Sequence, residues 1–262
     1  MRPGNFDGGA SNESNFAQAK PLSPTALKNP LIRKADLSLE SFLLDYIGQC
    51  SPVVICKGAG RWPAVQKWNV EYIWHLARFR TVPVEIGSSY ADDEWSQSLM
   101  TIGDFIQKFF IDSHSSIGYL AQHHLLDQVI ELRQDILIPD YCMTHENEVE
   151  INAWFGPGRT ISPLHFDPRN NILVQIFGRK YVRLYAPSET ARLYPHESIM
   201  LKNTSKVDVS SPNLELYPDF EYASYVECIL EPGDMLFIPK KWWHFVKSLE
   251  NSFSVNFWFG DA

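Results

Sequence analysis

No apolar run in the 262 residues approaches the roughly 18 that a membrane-spanning helix needs, so no helical span is expected. The first residues also lack the apolar core of a secretory leader. The four cysteines, Cys50, Cys56, Cys142 and Cys228, form no Cys-x-x-Cys pair and no small-domain disulfide spacing. They are expected to be buried, reduced thiols of an intracellular protein. Basic residues are the minority charge, with 23 Lys and Arg against 31 Asp and Glu, a net charge of −8. That balance argues against a broad nucleic-acid-binding face, which requires a basic patch, and suits a Lys/Arg-rich partner. No internal repeat is visible. The expected protein is soluble and nuclear or cytoplasmic, with no direct nucleic-acid binding and no membrane attachment.

Apolar groups are plentiful: 45% of residues are hydrophobic and 13% aromatic, enough for a substantial core. Residues 1–26 are the exception. They are rich in Gly, Ser, Asn and Ala and cannot bury enough surface to offset their ordering entropy, so they are expected to be disordered or a remnant of expression. Residues 27–262 read as a single domain. In the first part, 27–148, Leu39, Phe42, Leu43 and Tyr46 keep helical spacing between Ser38 and Gly48. Further helices are expected around Tyr72–Ala77, over Ile102–Phe110 and over Leu125–Leu132, with strands at Pro52–Lys57, Thr81–Ile86 and Ile117–Ala121 and a turn over Gly58–Pro63.

In the second part, 149–262, the pattern changes to short β-runs divided by turns. Expected strands are Glu150–Phe155, Thr160–Phe166, Ile172–Ile176, Tyr181–Tyr185, Tyr225–Leu230, Asp234–Ile238, His244–Lys247 and Ser252–Phe259. Many short strands with Gly/Pro turns indicate a barrel or jelly roll. The stretch 187–223 has few strand signals and reads as an ordered surface excursion. The helical first part is expected to buttress the barrel.

The chemistry concentrates in Ser162-Pro163-Leu164-His165-Phe166-Asp167-Pro168. Side chains two apart on an extended segment point the same way, so His165 and Asp167 share a face. With the distant His244 they supply the donors of a two-His, one-carboxylate site, which binds Fe(II) on one face and leaves the other open. A 2-oxo acid can take two of the open positions and dioxygen the third. The remote carboxylate of a 2-oxo diacid then needs a cation, and Lys180 or its neighbour Arg179 could provide it. The plain structural alternatives are a half-buried strand histidine at His165 and an aromatic-cluster histidine at His244, beside Trp242 and Trp243. His75 is expected to pack within its helix, and His114, His123, His124, His145 and His196 are given no metal role.

Longer runs carry a more specific likeness. Asn152-Ala153-Trp154-Phe155-Gly156-Pro157, His165-Phe166-Asp167-Pro168, Asn171, Gly178-Arg179-Lys180-Tyr181 and Ile238-Pro239 followed by Trp242-Trp243-His244 together resemble a Jumonji-C oxygenase. The likeness extends from about residue 30 to Phe259 and includes Trp62-Pro63, Thr81-Val82-Pro83-Val84-Glu85 and Tyr119-Leu120-Ala121-Gln122. It implies a mainly β fold, a cupin-like double-stranded β-helix or jelly roll with N-terminal helices. It also implies Fe(II) held by His165, Asp167 and His244, with O2 and 2-oxoglutarate as co-substrates. By the same resemblance Tyr119, Ser162, Asn171 and Lys180 hold 2-oxoglutarate, with Lys180 and Tyr119 on its far carboxylate, and Trp154 lines the pocket. A substrate pocket of Glu85, Tyr90, Trp95 and Trp258 is implied as well. Its carboxylate and flat aromatic faces would suit a guanidinium. The plain alternative leaves Glu85 at the end of an edge strand in solvent and Trp95 packed on the barrel.

Within that family the best-matching branch consists of proteins regarded as arginyl hydroxylases, with demethylase and histone-tail-clipping activities also claimed. The expected function is therefore 2-oxoglutarate-dependent hydroxylation of arginine in a basic protein or peptide such as a histone tail. N-methyl-lysine demethylation at the same iron site is the alternative, and a non-catalytic reader or scaffold is a third reading. Two departures from the branch stand out. Phe166 replaces a usual polar residue and is expected to face away from the metal. The closing run from Trp258 to Ala262 lacks a second Trp usual there.

Overall fold

A computed structural model describes residues 27–87, 95–112, 116–144 and 149–261. Thirteen strands lie among them: β1 (Arg33–Lys34), β2 (Val53–Ile55), β3 (Thr81–Ile86), β4 (Ser96–Thr101), β5 (Gly118–His123), β6 (Glu150–Gly156), β7 (Ile161–Phe166), β8 (Asn170–Phe177), β9 (Lys180–Tyr185), β10 (Tyr225–Leu230), β11 (Met235–Ile238), β12 (Trp243–Ser248) and β13 (Ser252–Phe259). They form a nine-stranded sheet in the order β1-β2-β11-β8-β13-β6-β5-β3-β4 and a four-stranded sheet in the order β10-β9-β12-β7. All pairings are antiparallel except the short parallel contact of β1 with β2. From β6 to β9, and again from β10 to β13, successive strands alternate between the sheets. That winding is the double-stranded β-helix of the cupin-like jelly rolls.

Side-chain alternation sorts the residues into layers. On β8, Ile172, Val174 and Ile176 face the helices while Leu173 faces the opposing sheet; on β11, Met235 and Phe237 divide from Leu236 and Ile238 in the same way. The larger sheet is thus covered on both sides, which explains why its central strands read as nearly unbroken apolar runs. The outer face of the smaller sheet is covered by the excursion between β9 and β10. Leu193, Val207, Val209 and Phe220 of that stretch pack on Leu164, Tyr185, Trp243 and Phe245.

The helices lie against the outer face of the larger sheet. Ser38 caps Leu39–Ser41, Asn69 caps Val70–Ala77 and Thr101 caps Ile102–Ile106, each accepting a backbone N–H near the helix start. Two of these helices continue into wider π-helical turns, Phe42–Ile47 and Gln107–Ile111. The stretch expected as one helix over Leu125–Leu132 is two short helices, Leu125–Gln128 and Ile130–Gln134, because Val129 leaves the helical region at φ −127°, ψ 90°. Pro63–Lys67, following the expected Gly58–Pro63 turn, is a short helix that the sequence reading did not include, begun by proline at its first helical position. His75 does not pack as expected: it is exposed, 3.7 Å from Glu71 one turn earlier. Cys142 and Cys228 are buried free thiols, but Cys50 is exposed and Cys56 half-exposed, so burial holds for only those two.

Two connections matter for the site. At Gly178 the chain passes from β8 in one sheet to β9 in the other with φ +69°, and an added Cβ would fall 2.1 Å from the Asn251 carbonyl oxygen. Only glycine fits there. The Gln175 amide caps the turn by donating to the carbonyls of Phe177 (2.7 Å) and Gly178 (3.1 Å). At the far edge, residues 29–34 bridge the two sheets. Leu31 N–H donates to the Glu227 carbonyl and Glu227 N–H to that of Asn29, both at 2.8 Å, before Arg33 and Lys34 pair with β2. The buried Glu227 carboxylate accepts from Tyr181 and from the backbone N–H of Lys28, and Arg33 pairs with Asp234 at 2.6 Å. Residues 1–26, expected to be disordered, lie outside the described residues.

Candidate active site between the two sheets

β7 and β12 are neighbours in the smaller sheet, and their register sets His165 directly opposite His244. The two rings are 4.2 Å apart between centroids. Asp167, just past the end of β7, completes a group whose donor atoms lie within 4.8 Å of one another. Its carboxylate is 3.9 Å from His165 Nε2 and 3.6 Å from His244 Nε2. Donors about 2.1 Å from a shared ion stand roughly 3 to 4 Å apart, so the set fits a metal. Among the described residues no other trio of His, Cys, Asp or Glu has such spacing.

The surrounding bonds orient these donors. His165 Nδ1 meets the Pro163 carbonyl at 2.7 Å and His244 Nδ1 meets that of Trp242 at 3.0 Å. A carbonyl only accepts, so each Nδ1 carries the proton and each Nε2 keeps its lone pair for the ion. Burial, reinforced by the neighbouring His165, pushes His244 down to about 4, which keeps it neutral and ready to ligate. Trp258 Nε1 donates to Asp167 at 3.1 Å. Phe166 does turn away from the trio, to meet the Trp243 ring edge-on at 4.9 Å in the outer layer.

The trio opens on a cavity lined also by Tyr119, Trp154, Ser162, Asn171, Leu173, Lys180, Ile238, Val246 and Asn256. The choice between Lys180 and Arg179 is decided here. Lys180 is 1% exposed and points inward, whereas Arg179 pairs outside with Glu250 at 3.1 Å. Lys180 Nζ donates to the Tyr119 hydroxyl at 3.1 Å, and Tyr119 also bonds Ser162. No carboxylate pairs with Lys180 among the described residues. Burial alone lowers its ammonium to about 7, and burial together with the Glu85 charge raises the Tyr119 phenol well above its usual range. A buried cation without a counter-ion is costly, and it is the feature of the cavity that most calls for an anionic ligand.

Glu85 is not at a strand end in solvent. It sits on β3 between β4 and β5, opposite both Gln97 and Tyr119. Burial raises its carboxyl above the ordinary range, partly offset by a hydrogen bond from Trp95, itself 36% exposed. Glu85, Trp95 and Tyr119 are therefore adjacent, while Trp258 lies on β13 beside Asp167. Tyr90 lies outside the described residues, as do His114 and His145. His123 and His196 stay apart from the trio; His124 lies near Asp127 and Glu150 at 3.6 and 3.8 Å without forming a metal-spaced group.

Asn256 escaped the sequence reading. It is buried, accepts from Trp154 Nε1 at 2.8 Å and donates to Asn171 Oδ1 at 3.2 Å. A signal for it existed: Ser252, Ser254, Asn256 and Trp258 alternate with Phe253, Val255, Phe257 and Phe259, a polar face two residues in period.

Comparison with known proteins agrees with this architecture. Residues 39–262 match the family model described as a cupin-like domain. The chain belongs to the cupin-like JmjC family. JmjC relatives include "Lysine-specific demethylase 8" of Xenopus tropicalis, 55% identical over 84% of this chain and 51% of that protein. "Lysine-specific demethylase JMJ30" of Arabidopsis thaliana is 46% identical over 87% of this chain and 54% of its own length. "Jumonji C domain-containing protein 5" of Drosophila melanogaster is 45% identical over 95% and 64%. The chain thus spans about half to two thirds of the length of these JmjC relatives. JmjC proteins depend in general on Fe(II) and 2-oxoglutarate, and the donor trio and buried lysine found here are of the types such ligands require.

Proposed function

We propose that this chain is the catalytic domain of an Fe(II)- and 2-oxoglutarate-dependent oxygenase acting on a cationic side chain of a protein or peptide. The observation that carries the reading is the metal-spaced trio His165, Asp167 and His244 facing one cavity with Lys180, a buried cation lacking any carboxylate partner among the described residues. His165 and His244 would offer Nε2 to the iron, because their Nδ1 protons are held by backbone carbonyls. Asp167 would supply the third ligand, steadied by the Trp258 indole. Lys180 and Tyr119 would receive the far carboxylate of 2-oxoglutarate, with Ser162 and Asn171 as further donors and Trp154 as a wall. When bound, iron and 2-oxoglutarate supply dioxygen activation and oxidation of an unactivated C–H bond. Leu173, Ile238 and Val246 keep the cavity wall apolar and exclude water from that chemistry.

Two reactions share this site. The names of the Xenopus and Arabidopsis relatives support removal of N-methyl groups from lysine, in which the hydroxylated methyl leaves as formaldehyde. Hydroxylation of arginine is the second reading, favoured by Glu85 and Trp95. A buried carboxyl with a raised pKa beside an aromatic face gains most from an arriving guanidinium, which both pairs with it and stacks. Incubation with Fe(II), 2-oxoglutarate and a mixed panel of N-methyl-lysine and arginine peptides, read by mass spectrometry, separates them. Demethylation predicts loss of a methyl group with matching formaldehyde; hydroxylation predicts a gain of one oxygen on arginine. Succinate release with neither change would remove both readings, and no succinate at all would remove the oxygenase.

A further inference from the structure

An asparagine amide can face its surroundings either way round, as donor or as acceptor, and Asn171 lines the cavity beside the metal donors. Which way it faces is decided by a chain of bonds beginning at Trp154. An indole N–H can only donate. Because Trp154 Nε1 lies 2.8 Å from Asn256 Oδ1, Asn256 must turn its oxygen to the indole and its amide nitrogen away. That nitrogen donates to Asn171 Oδ1 at 3.2 Å. Asn171 therefore has its acceptor engaged in the wall and keeps its amide hydrogens for the cavity. Asn256 and Asn171 are both buried, at 1% and 6% exposed, so water cannot easily relax this order.

We infer that Trp154 and Asn256 are positioning residues that lock Asn171 as a donor-only group, making this wall selective for an oxygen-rich anion. Neither needs to touch the ligand through the polar groups that matter. Reversal of the relay would present the Asn171 carbonyl oxygen to a carboxylate, oxygen against oxygen. The wall thus repels anions in one orientation and binds them in the other, and a single indole proton selects between them. This inference rests on the 2-oxoglutarate reading above.

The test is calorimetric, with full-length chain loaded anaerobically with Mn(II), so that binding is measured without turnover. Trp154→Phe keeps the aromatic wall and removes the proton. It should weaken 2-oxoglutarate binding on the order of tenfold, as loss of a hydrogen bond to a charged group does. Mn(II) affinity should not change. The same substitution in an Asn171→Ala background should cost nothing further, because the group it positions is gone. Asn256→Ala, run through the same cycle, gives the answer if Trp154→Phe does not fold. Equal penalties in both backgrounds, or no penalty in a folded variant, would overturn the relay. Unmodified protein that fails to bind 2-oxoglutarate would instead overturn the proposed function.

Discussion

The two walls of the cavity divide its chemistry. The smaller sheet and the turn just beyond it supply the ionic equipment: His165, Asp167, His244 and Lys180, with Ser162 between them. The larger sheet supplies neutral groups, Tyr119, Trp154, Asn171 and Asn256, whose contribution is direction rather than charge. The division has a physical basis. Metal donors must converge on one point, and the adjacent antiparallel strands β7 and β12 bring His165, Asp167 and His244 within 4.8 Å of one another. Neutral donors need no such company and can be spread over a broad sheet, provided each is oriented by a neighbour. One wall thus determines what charge binds, and the other how it lies.

Breaking the charged wall should have the largest effect. His165→Ala removes a ligand outright, so iron content and succinate release should both fall well beyond the ~10–100-fold that loss of an outer partner costs. Retention of stoichiometric iron would refute the trio. Next comes Lys180→Met, which keeps the stem and deletes the ammonium. 2-Oxoglutarate affinity should fall on the order of 100-fold. The ligand-free protein should become more stable, melting roughly 2–4 °C higher, since an unpaired buried cation has been removed. Opposite signs for ligand binding and stability in one variant would be hard to produce from general damage.

Acidity offers a gentler perturbation of the same wall. Burial lowers the Lys180 ammonium to about 7 in the free protein, and a dicarboxylate needs it charged. Affinity should therefore be highest below pH 7 and decline above it by about tenfold per unit, with about one proton taken up per ligand at pH 8. Titrations in buffers of different ionisation heat would measure that uptake, and a flat affinity between pH 6 and 9 would contradict it. The smallest effect belongs outside the cavity. Phe166→Thr loses the edge-on contact with Trp243 and should lower stability by about 1–2 kcal/mol while iron content stays unchanged. A loss of iron would place residue 166 in the site after all.

Legibility in the sequence followed burial. Strands such as Thr81–Ile86, Tyr225–Leu230 and Ser252–Phe259 could be read to the residue, because apolar side chains recur at every second position along them. β4 was not legible. Its Ser96-Gln97-Ser98 start is exposed at a sheet edge, where polar residues are favoured and no apolar period is imposed. The break at Val129 was hidden because its apolar neighbours keep helical spacing on both sides. At the site, His165 and Asp167 could be paired from strand period alone, but the inward turn of Lys180 over Arg179 depends on Gly178. The relay through Asn256 depends on strands far apart in the chain, and no local pattern specifies which way an amide faces.

The segment 29–34 joins β10, an edge of one sheet, to β2, near an edge of the other. Unpaired edges invite strands from other molecules. By occupying both at once, these few residues act as a guard against self-association. A shortened version of this domain cut after residue 34 is therefore expected to self-associate more than one cut before residue 29.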